Sequence, residues 1–124
     1  MAAETLVVEE TPSLGSSVVA LLEADGLEVR RFPDLATAER FHERSSASHP
    51  LVVVASNAHS CPTAGRWGLG PLRGAALVVV GTRDPALRSA GRLFVVRLPL
   101  VPQQLLELVR GLLGPADPPP GRPE

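Results

Sequence analysis

Apolar residues along this chain follow two periods. Leu6-Val7-Val8, Leu51-Val52-Val53-Val54, Leu77-Val78-Val79-Val80 and Leu93-Phe94-Val95-Val96 are continuous runs. Runs of Val and Leu too short for a helix suit strands covered on both faces. They predict strands over residues 5–9, 51–55, 77–80 and 93–96, with the 51–55 and 77–80 strands at the sheet centre. Between them the spacing turns helical. Leu14, Val18, Leu21 and Leu22 follow Pro12 and stop at Asp25-Gly26, where Gly26 supplies a left-handed cap. Leu35, Ala38 and Phe41 form the stripe of a second helix, N-capped by Asp34 and fraying over residues 45–48. Residues 28–31 read as a weak edge strand, and residues 101–113 as a last helix with Leu105, Leu108, Val109 and Leu112 facing the core.

Two connections break the pattern. Pro62, Gly65, Gly68, Gly70, Pro71 and Gly74 leave residues 57–75 a turn or two of helix at most, and after Val80 only a short helix fits, around residues 85–90. The alternation of strands and helices predicts an α/β fold: a doubly wound, five-stranded parallel sheet with right-handed crossovers, the third and fourth shortened. One domain spans residues 1–113, and the proline-rich tail 114–124 is expected to be disordered.

The first strand ends at Glu9-Glu10 and the third at Ser56-Asn57. In a parallel sheet these carboxyl ends converge on one crevice, the usual place for a site. One side of it is acidic and the other neutral. No base, nucleophile and oxyanion donor can be assembled around Ser56, so no catalytic residue is assigned and the chain does not read as an enzyme. His42, His49, His59 and Cys61 lack metal-ligand spacing, and no cofactor is implied. Residues 13–17 lack the spacings of phosphate-binding loops and read as an ordinary helix start.

Composition narrows the setting. The net charge is −1 with Arg scattered among Glu and Asp, so no basic stripe exists to neutralise a nucleic-acid backbone. Cys61 stands alone, the amino terminus lacks a secretory pattern, and both point to the cytoplasm. No apolar run approaches the roughly 20 residues of a membrane helix. Lys, Ile and Tyr are absent while Arg, Ala, Gly and Pro abound, which points to a GC-rich, bacterial genome.

Two apolar features fall outside the predicted core. Trp67 lies in the Gly/Pro-rich stretch, either as core cover or as part of a contact surface, where Trp is enriched. Val101, Leu106 and Leu113 lie off the core stripe of the last helix, and a second apolar stripe predicts burial against another surface.

Val8-Glu9-Glu10-Thr11-Pro12 and Leu98-Pro99-Leu100-Val101-Pro102-Gln103-Gln104-Leu105-Leu106 resemble two segments of the receiver domain of bacterial response regulators, the CheY-like branch of the flavodoxin-like folds. The resemblance covers residues 5–113 and is poor over residues 57–91. In that family an acidic pair binds magnesium and an aspartate ending strand three accepts a phosphoryl group. A Thr or Ser on strand four and a Lys on strand five hold its oxygens. The resemblance puts Glu9 and Glu10 at the acidic pair and Ser56 at the aspartate. Gly81 or Thr82 falls at the hydroxyl position, and Leu98 or Arg97 at the lysine, the latter alignment also placing Phe94 at the switch aromatic. Acceptor, metal and positioned cation are needed together for phosphotransfer. The resemblance therefore implies a degenerate, stand-alone pseudo-receiver of two-component signalling, acting without phosphorylation through a protein partner in trans or its own dimer. Val101, Leu106, Leu113 and Trp67 would form the interface, since the last helix and strand five make the face through which active receivers dimerise. The alternative is a small molecule sensed in the crevice of Glu9, Glu10, Ser56, Gly81, Thr82, Arg97, Leu98 and Pro99. The family's Lys-Pro bond also implies a cis Leu98-Pro99 peptide.

Overall fold

In a computed structural model, residues 3–113 are described. They form β1 (Ala3–Glu9), α1 (Pro12–Ala24), β2 (Val29–Phe32), α2 (Leu35–Arg44), β3 (Ser48–Ala55), α3 (Pro62–Trp67), β4 (Ala76–Val80), β5 (Leu93–Val96) and α4 (Pro102–Leu113). The sheet has five parallel strands in the order β2-β1-β3-β4-β5. This is the doubly wound α/β arrangement that the alternation predicts, with β3 central and β2 at an edge. The expected proline-rich tail lies outside the described residues.

Strand alternation divides the core into two layers. Leu6, Val8, Val52, Val54, Leu77 and Val79 pack with Leu35 and Ala38 of α2 and with Leu72 beneath the short α3. Val7, Leu51, Val53, Ala55, Val78 and Val80 face the other way and meet Val18, Leu22, Leu105 and Val109 of α1 and α4. Full burial of each such side chain contributes about 1.5 to 3 kcal/mol, so the continuous runs stabilise the sheet from both sides. Local signals act as read: the Asp34 side chain accepts from the Thr37 amide at 2.8 Å and caps α2, and Gly26 takes φ 87° after α1. The Leu98-Pro99 peptide is cis, as expected.

β1 starts two residues earlier than expected, at Ala3, and β4 and α4 start within one residue of expectation; other differences have a visible cause. β2 lies one residue later than residues 28–31 because Phe32 is its anchor, buried with its ring centroid 5.3 Å from that of Phe41. β3 starts at Ser48, inside the stretch read as a fraying helix end, and its pairing with β1 shifts between Ala3↔Ser48 and Thr5↔Leu51. His49 and Pro50 together thus oppose Glu4, an extra residue at the one position where β3 lacks a backbone N–H. The expected helix over residues 85–90 is absent. Asp84 instead holds a turn by accepting from the Ala86 amide, Arg97 donates to the Leu87 carbonyl, and Ser89 accepts from the Val95 amide at 2.9 Å. Loop carbonyls and amides satisfied this way are not free to build helical turns. β5 pays for the thin cover, with all four residues only half-buried.

Candidate functional site: the carboxyl-end crevice

Register places the end of β1 beside β3 and the end of β3 beside β4, through Glu9↔Ala55 and Ala55↔Val80. Glu10, Ser56 and Gly81 follow directly at the three strand ends. Ser56 is buried at 1% exposure; its amide donates to the Val80 carbonyl at 3.0 Å and its Oγ accepts from the Ala58 amide at 3.4 Å. Its hydroxyl therefore helps shape the loop after β3.

Both acidic side chains are taken by donors of the chain itself. Arg31 of β2 holds Glu9 with a fork, Nε to Oε1 at 3.0 Å and Nη2 to Oε2 at 2.8 Å, and also donates to Ser16 at 3.1 Å. α1 closes over this pair, since a Cβ on Gly15 would come within 2.5 Å of Glu9 Cγ. Glu10 accepts a hydrogen bond from Thr63 of α3, itself buried at 4% exposure. Across the mouth, the Thr11 amide donates to the Ala55 carbonyl at 2.9 Å, Thr11 Oγ1 donates to Asn57 Oδ1 at 3.1 Å and accepts from the Asn57 amide at 3.0 Å. These bonds lace the end of β1 to the end of β3.

The strand-four and strand-five positions are equally committed. Gly81 has φ 91°, and a Cβ there would meet Leu14 Cδ2 at 2.5 Å, so a hydroxyl-bearing residue does not fit. Thr82 is buried, and its Oγ1 accepts from the Asp84 amide at 3.1 Å. Arg97 turns its guanidinium to the carbonyls of Thr82 and Leu87. Leu98 is 47% exposed and carries no charge, and Pro99 follows it through the cis bond. A divalent cation of the kind this constellation holds in active receivers asks for several oxygen ligands, carboxylates foremost. The residues present do not fit it: β3 ends on Ser56, which is no carboxylate, and both glutamates already serve Arg31 and Thr63. Burial pushes the Cys61 thiol up, so it is held as the unreactive thiol.

Arg31 and Thr63 were not among the residues singled out from sequence, and Thr11 and Asn57 entered only as neighbours of the acidic pair and of Ser56. Arg31 carried a usable signal, because an edge strand in parallel register with β1 brings it near Glu9. Thr63 carried none, lying in the segment whose glycines and prolines hide its path.

The four residues assigned to an interface separate into two groups. Val101 is 41% exposed, beside Leu98. Leu106 and Leu113 are half-buried and pack on the same layer as Leu108 and Leu112, and Trp67 is half-buried against the opposite layer. The second stripe of α4 is thus largely absorbed by the protein's own core, because α4 packs against both α1 and β3 and the space between them takes leucines from a wide arc. Among the described residues no helix is long and apolar enough to cross a membrane.

Among solved structures, the chain is similar to the receiver domain of the hybrid histidine kinase CckA, with a TM-score of 0.68 and 21% identity over 90% of this chain and 99% of that one. No protein-family model matches, and no curated protein matches. The fold is therefore that of a receiver domain, in line with the resemblance carried by the segments at Glu9-Glu10 and Leu98-Pro99.

Proposed function

We propose that this protein is a receiver-like signalling module that works without phosphorylation, through contact with a protein partner in trans or with a second copy of itself. The observation that carries this reading is the state of the crevice. Ser56 stands where the acceptor carboxylate would be, uncharged Leu98 or the carbonyl-bound Arg97 where the positioned cation would be, and both glutamates are paired internally. A receiver fold in that state offers its surfaces. Exposed Leu98 and Val101, at the junction of β5 and α4, support that reading as apolar side chains open to a partner.

Sensing of a small molecule in the crevice has less support. A ligand there would have to displace the Thr11–Asn57 and Thr63–Glu10 bonds before reaching Ser56.

The test is self-association by sedimentation velocity, together with the stability of each variant. Leu98→Asp with Val101→Asp is expected to abolish dimerisation while leaving the urea midpoint near that of the parent. Dimerisation unchanged in this variant, or a monomeric parent with no partner lost on substitution, would overturn the interface.

A further inference from the structure

At the opposite, amino end of the sheet four ionisable side chains form one chain that runs from exposed Arg30 through buried Glu4 and His49 to half-buried His42. Arg30 Nε donates to Glu4 Oε2 at 2.8 Å, Glu4 Oε1 lies 3.3 Å from His49 Nε2, and His49 Nδ1 lies 2.7 Å from His42 Nδ1. The His49 side chain is fully buried and that of Glu4 is 8% exposed. The extra residue of β3 opposite Glu4 aims His49 at both partners, and Phe41 packs on it at a centroid distance of 5.5 Å. His42 sits in the last turns of α2 and His49 at the start of β3, so their contact closes the corner made by residues 45–47. A surface cavity of ≈ 400 Å³ adjoins this corner, lined by Glu4, Arg30, Phe41, Arg44 and Ser45 among others.

We propose that the His42–His49 pair is a proton-operated latch on the carboxyl end of α2. With both rings neutral, His49 donates from Nε2 to Glu4, so its Nδ1 accepts from the Nδ1–H of His42, whose Nε2 is bare. With one proton added from water at His42 Nε2, the Nδ1 proton passes to His49, which then donates from Nε2 to Glu4 and from Nδ1 to His42. Both states preserve the 2.7 Å contact. A second proton leaves each Nδ1 with an N–H aimed at the other, and no lone pair remains between them. The groups facing the pair resist that added charge. Glu4 from β1, the carboxylate that His49 meets, is already paired with Arg30 of β2, and Arg44 of α2 lines the same cavity. The rings must then separate, His42 goes to solvent, and the last turn of α2 lifts from β3. The return of the second proton to water closes the latch. This device is independent of the crevice and of the reading placed on it.

The experiment uses the full chain labelled in its histidine nitrogens. Imidazole NMR and amide hydrogen exchange are followed from about pH 7.5 to about pH 5, where histidines ordinarily change charge. The expected result is two coupled steps for His42 and His49. The second should coincide with a loss of protection of about tenfold or more at residues 41–44 while α1 stays protected, a local opening rather than unfolding. His42→Gln, which can still accept from His49 Nδ1 but takes no proton, should lose the second step and keep α2 protected across the range. Independent titrations with unchanged protection, or the same acid loss in His42→Gln, would overturn the latch. His49→Asn serves as a second variant, expected to abolish the coupling seen at His42.

Discussion

The two ends of the sheet carry similar numbers of polar side chains and use them in opposite ways. At the carboxyl end Glu9, Glu10, Thr11, Asn57 and Thr63 bond across the strand ends and lock the loops together. At the amino end Glu4, His49, His42 and Arg30 form a chain, buried at Glu4 and His49, whose hydrogen-bonding pattern depends on where its protons sit. The place where such folds keep their chemistry is stitched shut, and the end that usually does nothing holds the titratable core. Position in a fold suggests where to look; the pairing of each polar group decides what it can do.

That contrast can be broken by exchanging chemistry between the ends. The largest effect is expected from Ser56→Asp, which places a carboxylate at a 1% exposed position beside Glu9 and Glu10. With no cation supplied, burying that charge should cost about 3 kcal/mol in urea unfolding at neutral pH. A neutral or stabilising result would mean that the crevice still accommodates an acid. Next, Glu4→Ala strands the fully buried His49 and should cost about 2 kcal/mol. Ser56→Ala, at the crevice, should cost less than about 1 kcal/mol, since it loses one long hydrogen bond to the Ala58 amide.

Acidity separates the ends further. The hydrogen bond from Arg30 holds the Glu4 carboxyl below its ordinary value, against the opposing effect of burial. The Arg110 guanidinium does the same to Asp25 where α1 meets α4, and the Thr37 amide to Asp34 at the α2 cap. A depressed carboxyl stabilises the folded state above the ordinary carboxylate range and loses that contribution as pH falls through its folded value. The urea midpoint is therefore expected to fall below about pH 4. Glu4→Gln should flatten part of that limb, and a midpoint constant down to about pH 3 would contradict the pairing.

Much of the fold was legible because it rests on local period and punctuation. The Val runs, Pro12, Asp25-Gly26 and the Asp34 cap fix most elements within a residue or two, and each works through neighbours in the chain. The failures are all long-range. β3 reaches back to Ser48 because of its pairing with Ala3, and residues 85–90 give up helix because Arg97 and Val95 bond into them. The convergence of Glu10, Ser56 and Gly81 at neighbouring strand ends was legible from the strand pattern. The partners they take were not: Thr63 and Glu10 are brought together only by the path of a loop with no periodic signal. For the outer stripe of α4, helical spacing gives a direction for Leu106 and Leu113 but not the width of the groove that half-buries them.

The proposed independence of the crevice from phosphoryl chemistry is tested most directly by a phosphoryl mimic. Beryllofluoride with Mg²⁺, a mimic of the phosphorylated acceptor, should leave the amide NMR spectrum of the full chain unchanged. Shifts centred on Ser56, Glu9 and Thr82 would contradict the account.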